Sequence, residues 1–211
     1  MQELHFFNPY ADIRHTANRL PHWQQAGAVY FLTFRLYDSL PSHLLTQWEC
    51  DRKIWLRTHP QPWTKEIERK YHERFSQDIE EWLDAGHGAC LLRRRDCAEI
   101  VAKTLHYFEA VRVTMISFVV MPNHLHTLFV QNPEWPLERL LLSWKRFSAR
   151  EINKLVQRSG PLWQRDYFDR LVRDEKHFAN CVRYIRRNPE KARLTREHYI
   201  LYQSEIARRI C

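Results

Sequence analysis

Residues 111–131 constrain this chain more than any other stretch. VRVTMISFVV (111–120) and HLHTLFVQ (124–131) are rich in β-branched and aromatic residues, and only Met121, Pro122 and Asn123 separate them. Two strands joined by so short a turn belong to an antiparallel sheet. GAVYFLTFRL (27–36) reads as a third strand. CAEIVAKTLHYFEA (97–110) sets Ile100, Val101, Leu105 and Phe108 on one helical face. LERLLLSWKRFSAREINKLVQ (137–157) is a long amphipathic helix ended by SGP, and DEKHFANCVRYIRRN (174–188) is a helix closed before Pro189. Between the first strand and the first of these helices, residues 44–84 have a helical pattern interrupted by HPQP (59–62). LWQRDYFDRLV (162–172) is ambiguous and fits a short strand. Residues 1–26 read as irregular, and the tail to 211 as a small helix or an extended arm. The simplest packing is α+β: a ferredoxin-like antiparallel sheet with helices on one face, in a single domain spanning 1–211 with a helical insertion at about 44–84.

Charge narrows the function. The 211 residues carry a net +8, unevenly spread. Residues 143–211 hold 17 Lys+Arg against 8 Asp+Glu, a net of +9, whereas residues 1–142 hold 16 against 17, a net of −1. A basic last third is the electrostatic footprint of a polyanion partner, usually nucleic acid, although a solvated basic surface gives the same count. No apolar run reaches the roughly 18 residues of a membrane span, and MQELHFFNPYADIRHTANRL lacks the apolar core of a signal peptide. A cytoplasmic protein without membrane contact is the expectation. The five cysteines form no CxxC pair, which argues against a cysteine zinc site or a disulfide framework.

The chemistry centres on four residues. His124 and His126 are i and i+2 on a strand, so both imidazoles point to one face and can reach one metal ion while Leu125 enters the core on the other. Two histidines leave coordination positions open, as a catalytic metal requires. On its own, H-x-H is equally two polar residues on an exposed strand. Tyr184 and Asn188 are four apart on the helix 174–188 and share a face. An Asn188 oxygen can supply a third ligand while Tyr184 presents a hydroxyl able to act as a covalent nucleophile. Arg183, Arg186 and Arg187 surround them as candidate phosphate contacts. Trp144 and Lys145 can stack a base and contact phosphate, although Trp144 serves equally well as core. Tyr167 is a rival nucleophile, ranked lower because Leu171 stands where a ligand would follow. His22, His87 and His106 have no partner at ligand spacing and read as structural.

FVVMPNHLHTLF (118–129) and WQRDYFDRLVRDEKHFANCVRYIRRNPEKARL (163–194) together resemble the REP-associated tyrosine transposases, members of the HUH single-strand transposases. The resemblance also takes in RLPHW (19–23), YFLTFRLYDSLP (30–41), DAGHGACLLRR (84–94) and SWKRFSAREIN (143–153). It implies a ferredoxin-like fold with inserted helices, a Mg²⁺ or Mn²⁺ ion on His124, His126 and Asn188, and Tyr184 as the catalytic tyrosine. It further implies cleavage of single-stranded DNA near hairpins of repetitive palindromes, through a 5′-phosphotyrosine that leaves a free 3′-OH. The family pattern has a small turn residue near Arg193, where this chain reads KARL.

Three other functions compete with a transposase acting as a monomer or homodimer. A nucleic-acid-binding protein of the same fold that has lost catalysis is disfavoured by the intact quartet. A hydrolase activating water needs a general base, and no Asp or Glu lies within seven residues of either histidine. A replication-initiator nuclease would normally carry further domains.

Overall fold

The structure is a computed structural model and describes residues 4–17, 21–60 and 63–211. Arg19, Leu20, Gln61 and Pro62, within RLPHW and HPQP, lie outside these residues. Strands β1 (Arg14–Ala17) and β2 (Pro21–Gln24) form a small antiparallel sheet of their own. The main sheet is built from β3 (Val29–Arg35), β4 (Val113–Val120), β5 (His124–Gln131), β6 (Phe168–Leu171) and β7 (Ile200–Gln203), in the order β6-β3-β5-β4-β7, with every pair antiparallel.

The helices are α1 (Ser42–Thr58), α2 (Lys65–Tyr71), α3 (Gln77–Asp84), α4 (Arg95–His106), α5 (Leu137–Leu155), α6 (Glu175–Lys191) and the short α7 (Glu205–Arg208). Without α1–α3, the run β3-α4-β4-β5-α5-β6 is the βαββαβ succession of a ferredoxin-like unit. Helices α1 to α3 follow β3, with α2 running into α3 through a π-helical turn at His72–Ser76, and they gather aromatic rings of their own. Trp48 and Trp55 meet Phe75 edge-on at 6.1 and 5.8 Å.

The antiparallel α+β sheet matches the sequence reading, but the helices divide between its faces. One face of β3, β4 and β5 presents Tyr30, Leu32, Phe34, Phe118, Leu125 and Phe129 to α4 and α5, which contribute Val101, Leu105, Leu140 and Trp144. The other presents Val29, Phe31, Val119 and Leu128 to α6 and α7, which contribute Phe178, Val182, Ile185 and Ala207. The physical reason lies in the strands: β3 reads VYFLTFR, apolar on both faces, so a cover on one face alone would leave Phe31 and its neighbours in water.

Three local departures follow from tertiary context. The tail supplies an edge strand, β7, beside β4, and Arg14–Ala17 pairs with Pro21–Gln24 rather than staying irregular. Helix α6, capped by Asp174 accepting from His177 N at 2.7 Å, runs through Pro189 to Lys191. It then turns at Arg193, whose φ of 52° lies in the left-handed region that favours glycine or asparagine, so KARL makes the turn without a small residue at that position.

Trp144 is 1% exposed and meets Phe129 edge-on at 5.4 Å, so its work is in the core. Trp144→Ala should lower unfolding stability by about 3–5 kcal/mol in denaturant titration. Trp144→Phe should fold and leave single-strand DNA affinity within about twofold of the original. A tenfold loss of affinity in the folded Phe variant would return Trp144 to the DNA interface.

Candidate active site

His124 and His126 project from β5 toward α6, while Leu125 between them is fully buried on the opposite face. Both histidines are almost wholly buried, at 1% and 3% exposure. Their Nε2 atoms lie 3.1 Å apart. The far nitrogens are held in turn. His124 Nδ1 lies 2.8 Å from Asn123 Oδ1, and the Asn123 amide nitrogen donates to the His87 carbonyl at 3.2 Å, which fixes the oxygen toward the histidine. A carboxamide oxygen only accepts, so His124 carries its proton on Nδ1 and turns the Nε2 lone pair inward. His126 Nδ1 lies 2.7 Å from Thr33 Oγ1, its neighbour across the β3–β5 ladder. A hydroxyl can accept as well as donate, so the same tautomer is open to His126. Such partners fix ring orientation in metal-binding histidines.

Helix α6 closes the site. The Tyr184 hydroxyl lies 3.5 Å from His126 Nε2, and Asn188 Nδ2 lies 3.4 Å from the same atom. The other amide atom of Asn188, Oδ1, is buried and has no hydrogen-bond partner among the described residues. With that tautomer at both rings, the two Nε2 lone pairs and the orphaned amide oxygen could hold a cation, with His124, His126 and Asn188 as its protein ligands. Phe31 stacks on His126 at 5.7 Å and meets Tyr184 edge-on at 5.7 Å, fixing both rings. Beside the hydroxyl an open cleft of about 290 Å³ is lined by Asn180, Arg183, Tyr184, Arg187, Asn188 and Lys191, all from one face of α6.

Burial dominates the electrostatics. It lowers the His124 pKa to about 3, and the charge of Lys191 acts in the same direction. His126 is lowered by burial, then by His124 and Lys191. Both rings are therefore neutral at neutral pH and available as ligands. Tyr184 shifts upward, first by burial and then by the carboxylates Glu80 and Asp84, with the Asn188 hydrogen bond opposing. The charges that act on it are carboxylates, brought by the inserted helix α3. Glu80 and Asp84 were missed because no local spacing links residue 80 to residue 184.

Other expected contacts find different work. Lys145 Nζ donates to the carbonyls of Gln164, Arg165 and Asp166 at 3.0, 3.1 and 3.2 Å. Burial lowers its pKa to about 8, and its ammonium ties a loop to α5 instead of facing solvent DNA. Arg186 donates to Gln203 Oε1 and to the carbonyls of Ile210 and Ala207, so its guanidinium anchors the C-terminal segment. Arg183 binds the Cys211 carbonyl and Asn180 while lining the cleft, and Arg187 is exposed there. Tyr167 belongs to the core on the opposite face and is remote from the histidines. The His87 carbonyl supports Asn123, and His106 packs edge-on against Tyr202 at 4.4 Å. The side chain of His22 lies outside the described residues.

Comparison with known proteins bears on the same segment. Residues 91–188 match the family model described as Transposase IS200 like. An uncharacterized protein of Haemophilus influenzae is 26% identical over 104 residues, covering 39% of this chain and 57% of the relative. A putative REP-associated tyrosine transposase of the same organism is 32% identical over 97 residues, covering 41% of this chain and 52% of the relative. The chain thus spans about half the length of the curated relatives it matches. A solved structure of a REP-associated tyrosine transposase bound to a REP hairpin aligns with a TM-score of 0.45 at 15% identity, covering 83% of this chain and 74% of that one. The matched segment 91–188, which carries His124, His126, Tyr184 and Asn188, is similar to the IS200-like transposases over somewhat less than half of the chain.

Proposed function

We propose that this chain is a cytoplasmic single-stranded DNA endonuclease and transposase that cuts and rejoins DNA at hairpin-forming repetitive palindromes. Tyr184 is its nucleophile, and Mg²⁺ or Mn²⁺ sits on His124, His126 and Asn188. One observation carries the reading: two neutral imidazole nitrogens, a buried amide and a tyrosine hydroxyl converge at the end of a basic cleft. The name of the 32% identical relative supports it.

The cation, when bound, would polarise the scissile phosphate and neutralise charge developing on it. The chain's own residues do the rest. Thr33 and Asn123 hold the imidazoles in register. Phe31 keeps the tyrosine ring edge-on and limits water around it. Arg187 and Arg183 receive the phosphates flanking the scissile one. The Tyr184 oxygen bonds to phosphorus as the bond to the 3′ oxygen breaks, giving a 5′-phosphotyrosine and a free 3′-OH. The phosphodiester energy is kept in that linkage, so rejoining needs no nucleotide hydrolysis.

Incubating the chain with a hairpin-bearing single strand and Mn²⁺, then resolving products on a denaturing gel, tests the nucleophile. Tyr184→Phe should abolish the covalent adduct while binding stays nearly intact, and Tyr167→Phe should keep it. An adduct formed by Tyr184→Phe would disprove the assignment. Loss of the histidine partners should act on the metal: Thr33→Val and Asn123→Ala should each weaken Mn²⁺ affinity in calorimetry by about 10–100-fold. Unchanged affinity in both would mean that the cation does not sit on these rings.

The two neighbouring arginines should separate cleanly. Arg187→Gln should flatten the slope of log K against log[salt] for single-stranded DNA by about 0.7, the value of one phosphate. Arg186→Gln should leave that slope unchanged and lower stability by about 1–3 kcal/mol. Equal changes in slope would show that both contact phosphate.

A further inference from the structure

Helix α5 turns Leu140, Trp144 and Ile152 into the core, and its outer face carries a row of cations. Arg139, Arg146, Arg150 and Lys154 follow one another at steps of seven, four and four residues, so they share one side of the helix, and all four are exposed. The row is about 22 Å long, and its last two steps advance about 6 Å each. The side chains of Arg139, Arg146 and Lys154 have no hydrogen-bond or ion-pair partner among the described residues. Of the two carboxylates on α5, Glu138 accepts from Gln24 Nε2 at 2.6 Å, and Glu151 pairs with Arg150 at 2.8 Å. Aromatic rings stand beside the row. Phe147 is 44% exposed, with the Arg150 guanidinium 5.2 Å from its ring centre. Tyr107, just past α4, is 77% exposed, and its ring lies nearly parallel to that of Phe147 with centroids 6.5 Å apart. Tyr107 also lines an open groove of about 520 Å³ between α4 and β7, together with Lys103 and with Arg95, which is ion-paired to Glu99. The surface therefore continues from the α5 row, across the two rings, into that groove.

We propose that the outer face of α5, with Tyr107 and the α4–β7 groove, is a second binding surface for single-stranded DNA, separate from the cleft beside Tyr184. Helices α4 and α5 cover one face of the sheet and α6 the other, so the two surfaces lie on opposite sides of the molecule. A row of cations alone would suit any polyanion. The rings narrow the choice. In a duplex each base is stacked between its neighbours and offers no face to a side chain, whereas an unpaired base offers one. Exposed aromatic rings set among cations are the means by which proteins hold single strands without reading their sequence. Naming DNA as the strand rests on the functional reading above: the occupant is a stretch of the substrate strand outside the cleft. The cations would follow its phosphates, and Tyr107 and Phe147 would each carry a base.

Fluorescence anisotropy of a labelled oligothymidylate with the full chain tests the proposal. Arg139→Gln, Arg146→Gln and Arg150→Gln combined should flatten the slope of log K against log[salt] by about 2, at about 0.7 per phosphate. Tyr107→Ser with Phe147→Ser should lower oligothymidylate affinity by about tenfold or more and leave affinity for a blunt duplex of equal length within about twofold. All five side chains are exposed, so both variants should keep the original's melting temperature to within a few degrees. Ultraviolet crosslinking of the oligomer carrying 5-iodouracil should attach it to peptides that hold Tyr107 or Phe147. An unchanged slope and affinity, or crosslinks confined to α6, would overturn the proposal. So would equal losses for strand and duplex, which would give the row to duplex phosphates. A dimer in sedimentation that the Ser variant breaks into monomers would give the rings to a second copy of the chain, and oligouridylate bound at least tenfold more tightly than oligothymidylate would give the surface to RNA; either result overturns it. An unmodified chain that forms no phosphotyrosine adduct would overturn the functional reading and the choice of substrate strand, while the losses of oligothymidylate affinity would still support the surface.

Discussion

Thr33 faces His126 across the β3–β5 ladder, and Arg35 faces His124. Side chains alternate along a strand, so sliding this ladder by one residue would turn His124 and His126 into the face packed by α4 and α5. The register is held from both sides. Leu125 and Phe129 are fully buried on one face of β5 and Leu128 on the other. The Met121–Asn123 turn is pinned by Leu36 N donating to the Asn123 carbonyl and Leu92 N donating to the Pro122 carbonyl. Everything polar in the site is positioned from that ladder.

The second face explains why the site is chemically unusual. A cover of apolar side chains from α6 seals Phe31, Val119 and Leu128, yet the same helix sets Tyr184 and Asn188 over the two imidazoles. Burying polar atoms without partners is unfavourable, and Asn188 Oδ1 is left in that condition among the described residues. Orphaned buried polar atoms in a native fold call for a reason, and a cation ligated at this point supplies one. The insertion then adds negative charge near Tyr184, through Glu80 and Asp84, both of which Lys191 bridges.

Local periodicity made some of this legible in the sequence. The hairpin 111–131 announced itself by two apolar runs and a short turn. His124 and His126 were readable from a period of two, and Tyr184 and Asn188 from a spacing of four, because each pair shares one element. What depends on packing between distant elements was hidden. Trp144 and Lys145 looked like DNA contacts on an amphipathic helix, but the fold turns one into the core and directs the other to three backbone carbonyls. Arg186 is indistinguishable from Arg187 in composition, and only the returning C-terminal segment separates them. The edge strand β7 has four half-buried residues and no alternation strong enough to announce it. The charge of Glu80 acts on Tyr184 across more than a hundred residues of chain.

The central claim is that the sheet and α6 assemble one metal centre beside a nucleophile. Anomalous X-ray scattering from crystals of Tyr184→Phe grown with a hairpin-bearing single strand and Mn²⁺ tests it most directly. The account predicts one strong manganese peak within bonding distance of His124 Nε2, His126 Nε2 and the Asn188 amide oxygen, with the ring of residue 184 beside the scissile phosphate. A site with ordered DNA and no manganese on the two histidines, or a peak held by other residues, would contradict it.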